Sequence, residues 1–326
     1  MPNIITHTLF ADEFLEDASI SLQEWLLPRK QLVEIGANGP DFLFFHGLSP
    51  TRAFQKTPLR KLGSKVHSQH IREFYQCALA CIRKEKDKEI QKDMTAYLMG
   101  HLMHWSLDST AHPYVYYRTG CKSAQSSWWH HRFESLIDAI MLKVKREQTI
   151  QDFKAYTITD ASLEQVRAIA RIYVPVARQI YGVDVKPHQI LESIEDWNFM
   201  QKVFYDASGK KFHFFHNIEK MTDTESAVSG FFVPNQPEDP FDTINLLHKE
   251  WVHPCDDEIK STESFFDLYD RAMDKAFKVN ALLLECLEDS TRDEDFLSFI
   301  GQKDYDTGLE EKLPMVHFDL VYNSKW

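Results

Sequence analysis

His101, His104, Asp108 and His112 follow one another at spacings of three, four and four in the run His101-Leu-Met-His-Trp-Ser-Leu-Asp-Ser-Thr-Ala-His-Pro113. On a helix those spacings set all four side chains on one side of the cylinder. A second pairing, His130 with Glu134, follows, and Asp138 continues it at the same interval. One His-x-x-x-Asp pair is an ordinary salt-bridged helix face. Two such pairs within roughly thirty residues, with spare histidines beside them, point to a metal centre. Nine of the fifteen histidines precede residue 132, among them His7, His46, His67 and His70, and Asp41 lies upstream in Gly-Pro-Asp. Imidazole with carboxylate, and no thiolate, is the ligand set of catalytic zinc. The candidates outnumber the ligands of one four-coordinate ion and suit two or three ions sharing bridging carboxylates. Closely spaced metals of that kind recur in phosphoester hydrolysis, where a metal-bound water loses its proton near neutral pH and attacks phosphorus.

Positioning these residues calls for helices. Apolar residues at Ile90, Met94, Tyr97, Leu98, Leu102 and Trp105 predict a helix from about Lys88 to Ala111. Pro113 is expected to end it, leaving His112 at a turning point and residues 114–120 as a loop. The pattern predicts a helix from Trp128 to Lys145, one from Lys65 to Lys84 and a short one between Asp12 and Pro28. Gly36, Gly39 and Pro40 punctuate the approach to Asp41, which therefore sits where a loop becomes a packed segment. In the second half, residues 163–181, 189–205 and 264–288 read as amphipathic helices. Residues 233–254, with Pro234, Pro237 and Pro240, read as an irregular loop. No period-two pattern persists, so the expected fold is all-α. Its expected organisation is a metal-binding core over residues 1–150 and a helical region, 151–326, packed on it.

Bulk properties narrow the function. A 326-residue chain with 43% hydrophobic and 13% aromatic residues buries a sizeable core. The net charge of -12 opposes a broad grip on nucleic acid, which rests on neutralising phosphates. The five cysteines form no Cys-x-x-Cys pair, so a disulfide framework is not expected. Met-Pro-Asn-Ile-Ile-Thr-His lacks the marks of a secretory signal, and no apolar run is long enough to span a bilayer. A soluble cytoplasmic protein is the expectation.

His104-x-x-x-Asp108, then His112, then His130-x-x-x-Glu134, with His7 near the start and Asp41 upstream, resembles the zinc-dependent phospholipase C family. That family shares its multi-helix fold with S1/P1-type nucleases. The resemblance covers roughly residues 1–150. Beyond it, Trp251, Pro254 and the Ser264–Phe266 segment look similar to bacterial relatives of unassigned activity. For the remaining upstream histidine, His67 resembles the family more than His46 does. The resemblance implies one zinc on Asp41, His67, His104 and Asp108, a second on His112, His130 and Glu134, and a third on His7 with Asp108 bridging. Asp41 and Asp108 would carry the catalysis, Asp41 by orienting the nucleophile or accepting its proton. His101 and His131 would support the ligands or fill the core. The implied substrate is a small phosphoester or a phospholipid headgroup, with Tyr114, Tyr116, Tyr117, Trp128 and His248 as candidate pocket walls. Secreted members complete the third site with an N-terminal tryptophan, where this chain has Met1-Pro2 and, after removal of Met1, a prolyl amine.

Two other readings remain: a P1-type nuclease on the same fold, and a non-catalytic helical protein stabilised by closed metal sites. No adjacent His-Asp dipeptide occurs, which disfavours an HD-type phosphohydrolase. The single Glu250-x-x-His253 disfavours a ferritin-like site.

Overall fold

A computed structural model describes residues 4–53, 57–222, 228–236 and 239–323. The N-terminal amine and Pro237 lie outside the described residues. The fold is all-α. Its helices are α1 (Ile4–Asp17), α2 (Ile20–Leu26), α3 (Lys30–Ala37), α4 (Leu59–Ser68), α5 (Ile71–Lys84) and α6 (Lys88–Thr119). There follow α7 (Ala124–Arg146), α8 (Leu163–Gln179), α9 (Pro187–Phe204), α10 (Lys210–Thr222), α11 (Phe265–Glu288) and α12 (Asp293–Ile300). A small antiparallel hairpin, β1 (Trp251–His253) and β2 (Asp256–Ser261), enters the segment expected to be irregular throughout. No helix among the described residues is long and apolar enough to cross a membrane.

The central element is α6. The Asp87 side chain caps it by accepting from the Glu89 and Ile90 amides. From Met94 to Val115 every residue is buried, because α1, α3, α7, α8 and α11 all pack around it. The expectation that Pro113 ends this helix is wrong: α6 continues to Thr119. Proline removes one backbone donor, toward the Ser109 carbonyl, and the surrounding helices hold the rest of the turn in place. The Gly308 backbone passes against that carbonyl so closely that a side chain there would collide with it. Residues 114–119 are thus helix rather than loop.

At α3, Gly36 meets Gly100 of α6 at a separation no side chain permits, since a Cβ on Gly100 would stand 2.9 Å from the Gly36 Cα. This close crossing carries the loop after α3 to the centre of α6. The single helix expected over residues 65–84 is two. The chain turns at His70, whose φ of 57° lies in the left-handed region, and His67 falls in the last turn of α4. In the N-terminal segment, the helix expected from Asp12 to Pro28 instead begins at Ile4 and breaks between Asp17 and Ile20. It therefore includes His7. Residues 163–179, 187–204 and 265–288 form helices close to the expected limits.

Asp138 of α7 supplies the start of α1 with a cap from across the fold. Its carboxylate accepts from the Ile5 amide (3.2 Å), the Thr6 amide (2.9 Å) and the Thr6 hydroxyl (2.6 Å), all buried. The first turn of a helix has no internal acceptor for these amides. Asp138→Ala is expected to destabilise the protein by about 2–4 kcal/mol, because three buried donors lose their acceptor together. Asp138→Asn, which keeps an acceptor oxygen, should lose much less. Thermal unfolding of both variants checks this, and equal losses would count against the capping role.

Candidate metal centre

Helix geometry explains how α6 serves more than one place. His104, Asp108 and His112 share a side, but eight residues separate the two histidines, about 12 Å along the axis. His104 thus meets residues of α1 and of the loop after α3, whereas His112 meets α7. This division does not need the turn at Pro113 that the sequence suggested.

Three groups of ligand atoms result, each within 4.8 Å of one another: His7, His104 and Asp108; Asp41, His67 and His104; and His112, His130 and Glu134. All eight residues expected as ligands are in them. Asp108 Oδ1 stands 3.1 Å from His7 Nε2, and Oδ2 stands 3.1 Å from His104 Nε2. Asp41 Oδ1 is 3.1 Å from His67 Nε2 and 3.7 Å from His104 Nε2. Glu134 Oε1 is 3.0 Å from His130 Nε2 and 3.6 Å from His112 Nε2. Asp108 spans from His7 to His104, as the resemblance implies for a bridging carboxylate, but the partition differs in that His104 joins two groups and Asp108 is grouped with His7 and not with Asp41 and His67.

Both Asp108 oxygens, Asp41 Oδ1, both His7 nitrogens, His104 Nε2 and His112 Nε2 are buried and have no hydrogen-bond partner of ordinary geometry among the described residues. So many orphaned polar atoms in one interior would be costly unless something else satisfies them. Meanwhile the outer ring nitrogens are engaged. His67 Nδ1 bonds the Gly63 carbonyl (2.8 Å), His104 Nδ1 the Ala37 carbonyl (3.2 Å) and His112 Nδ1 the Tyr305 carbonyl (2.8 Å). Each carbonyl accepts the Nδ1 proton, which leaves Nε2 with its lone pair facing the group. Orphaned inward atoms, tautomers fixed from outside and a purely imidazole–carboxylate donor set fit divalent metal ions.

Burial opposes charge throughout. It raises Asp41 above the usual carboxylate range, although His67 pulls the other way. At Asp108 burial is outweighed by His104, His112 and His7, which hold the carboxyl below its ordinary value. Glu134 is likewise held down, chiefly by His130. Burial pushes His104 well down and His130 down to about 4. His67 and His112 go the opposite way: burial opposes their charged forms, but Asp41 at one and Asp108 with Glu134 at the other raise them above the ordinary value. In the metal-free protein these two imidazoles hold protons at a pH where an ordinary histidine has released them. A metal must displace those protons, so affinity is expected to fall as pH drops through their raised pKa values, by about tenfold per unit for each proton displaced. Competition with a chromophoric chelator between pH 5.5 and 8 measures this, and a flat profile would refute it.

The other sequence candidates lie outside the three groups, although His131 lines the adjoining cavity with its Nδ1 3.8 Å from Glu134 Oε2. His46 lies 3.4 Å from Glu192, outside the three groups, and burial lowers its pKa. His101 is buried, bonded to the Tyr75 and Tyr173 hydroxyls (3.0 and 3.1 Å), and pushed down to about 3 by burial. His131 stacks on Phe231 at 3.9 Å between ring centroids. A cavity of about 600 Å³ adjoins the groups and is lined by Asp41, His67, His130 and Glu134 together with Phe44, Trp197 and Phe231. Asp108 is fully buried and does not line it, so of the two expected catalytic carboxylates only Asp41 borders the cavity. Of the expected walls only Tyr116 does so. Tyr114 donates to the Thr243 carbonyl, Trp128 belongs to another cleft, and His248 is exposed with its Nδ1 on the Thr262 carbonyl.

The residue the sequence did not disclose is Tyr305. Its carbonyl orients His112, its amide donates to the His67 carbonyl (3.0 Å), and its ring lies against His67 and His104. Asp306 beside it accepts from the Tyr116 hydroxyl at 3.1 Å and lines the cavity. Nothing in the local sequence marks a short turn in the last thirty residues as part of a site built by the first 150. Comparison with protein families, with curated proteins and with solved structures finds no match for this chain.

Proposed function

We propose that this chain is a metal-dependent phosphoester hydrolase of the phospholipase C type that uses zinc. The observation carrying the reading is the set of three adjoining imidazole–carboxylate groups, rich in orphaned atoms, beside an aromatic-walled cavity. His7, Asp41, His67, His104, Asp108, His112, His130 and Glu134 would hold two or three ions. When bound, such ions supply Lewis acidity toward phosphoryl oxygens and make water a nucleophile near neutral pH. Asp41 borders the cavity and its carboxyl is raised by burial, which suits a group that accepts a proton from water. Asp108, away from the cavity, ties the groups together. Among the described residues no lysine or arginine lines the cavity, which favours a small diester with one negative charge over a nucleic acid chain. The cytoplasm is the compartment we propose, because all five cysteines are free.

The test begins with protein purified without chelator or added metal. Elemental analysis is expected to find two or three zinc ions per chain, and hydrolysis of bis(p-nitrophenyl) phosphate should vanish on chelation and return with Zn2+. Metal-replete protein that cleaves no phosphodiester, phosphomonoester or phospholipid would sink the enzymatic reading. Fewer than about one ion per chain would sink the metal centre itself.

A further inference from the structure

A second cleft lies on the opposite side of α7. Arg132 is two residues from both His130 and Glu134, hence about 200° around the helix from each, and faces away from the metal groups. Trp129, Phe212, Phe232, Phe241 and Asn235 join it around a cavity of about 430 Å³. Small-molecule sites span roughly 300–1,000 Å³ and are mostly apolar with a few fixed polar groups.

Two of those polar groups are unsatisfied. The Arg132 guanidinium is partly buried over the Phe212 ring, 4.7 Å from its centroid, and donates one hydrogen bond, to the Phe232 carbonyl at 3.0 Å. Among the described residues no carboxylate pairs with it. Asp206 also lines the cleft, but its carboxylate accepts from the Phe212 amide (2.8 Å) and the Ser208 hydroxyl (3.1 Å). A cation partly removed from water and left unneutralised favours an anion beside it. The Asn235 side-chain oxygen is buried and has no hydrogen-bond partner. It asks for a donor. The walls ask for a flat apolar body: Trp129 and Phe241 meet edge to face at 5.3 Å, and the Trp128 indole N–H is already satisfied by the buried Ser229 hydroxyl.

We propose that this cleft binds a small planar aromatic carboxylate, its anionic group paired with Arg132, its ring between the aromatic walls, and an N–H or O–H donor on that ring bonded to Asn235. The site is independent of the metal centre and of the phosphoester reading. Its occupant is read by binding alone.

Indole-3-acetate and 4-hydroxybenzoate are the probes, titrated into the full chain with and without chelator and followed by calorimetry and tryptophan fluorescence. At least one is expected to bind below about 1 mM. The neutral indole-3-acetamide should bind at least about tenfold more weakly than its acid, since a charge-assisted bond is lost. Arg132→Met should abolish binding of the acid, and Asn235→Ala should weaken it roughly three- to tenfold. No binding of either probe up to about 1 mM, equal binding of acid and amide, or a folded Arg132→Met that keeps its affinity would each overturn the proposal. The comparison of acid with amide uses the unaltered protein, so it stands even where the Arg132 variant does not fold.

Discussion

Asp108→Asn is expected to leave a folded protein with the most severe loss of the proposed hydrolase activity of any single substitution. Among the described residues the carboxylate is the one group that reaches both His7 and His104 at 3.1 Å, one oxygen to each, and it lies 3.9 Å from His112 Nδ1. An amide has one acceptor oxygen and no charge. It cannot offer a ligand atom on both sides, and it removes the negative charge that neutralises divalent ions in a dry interior. Metal affinity at the His7 and His104 groups should fall at least about 100-fold, since even substitutions behind a ligand cost 10- to 100-fold. Phosphodiester hydrolysis should fall by roughly 10³, equivalent to about 4 kcal/mol of transition-state stabilisation. The ion on His112, His130 and Glu134 should remain. Metal stoichiometry and kcat/KM on the same preparation decide the matter, and a variant that keeps all its ions would contradict the bridging role.

Gly39→Ala is expected to damage stability and metal binding together. Gly39 has a φ of +53°, which a residue with a Cβ adopts at a cost of about 1–2 kcal/mol. A Cβ there would also fall within the His104 imidazole. Relieving that collision moves either the loop that delivers Asp41 or the ring that joins two metal groups, and overpacking of this kind costs about 1–3 kcal/mol more. The sum, about 2–5 kcal/mol, corresponds to a drop of roughly 3–7 °C in thermal midpoint for a chain of this size. Gly182→Ala is the matched comparison, because Gly182 has a φ of +66° with nothing within 4 Å of an added Cβ. It should show the backbone cost alone and keep its metals. If the two variants melt alike with equal metal content, the contact between Gly39 and His104 has no role in the site.

The candidate ligands were legible because metal chemistry restricts residue type and helices restrict spacing. His104, Asp108 and His112 at intervals of four, and His130 with Glu134 at the same interval, announce themselves on any helix. The helices of the second half were legible for the same reason, as in the apolar stripe from Phe266 to Leu287, to which the structure adds the Ser264 capping box. Local rules misled where tertiary packing outweighed them. Pro113 is a helix breaker by propensity, yet α6 runs through it because its flanks are buried on all sides. The hydrophobic pattern joined α4 to α5, and the turn at His70 has no glycine or proline to reveal it.

By itself, then, the sequence determined an all-α chain and the eight side chains able to form a metal centre, because side-chain chemistry and helical period are local properties. Only the tertiary structure decided how they are shared. It brought Asp41 to His67 and sent His46 to Glu192, placed His104 in two groups, buried Asp108 behind the cavity that Asp41 borders, and set the Tyr305 carbonyl on His112. These depend on the crossing at Gly36 and Gly100, on the cap that Asp138 gives α1, and on a turn nearly two hundred residues from the ligand it orients. Such contacts follow from the packing of whole helices, which no local pattern of residues encodes.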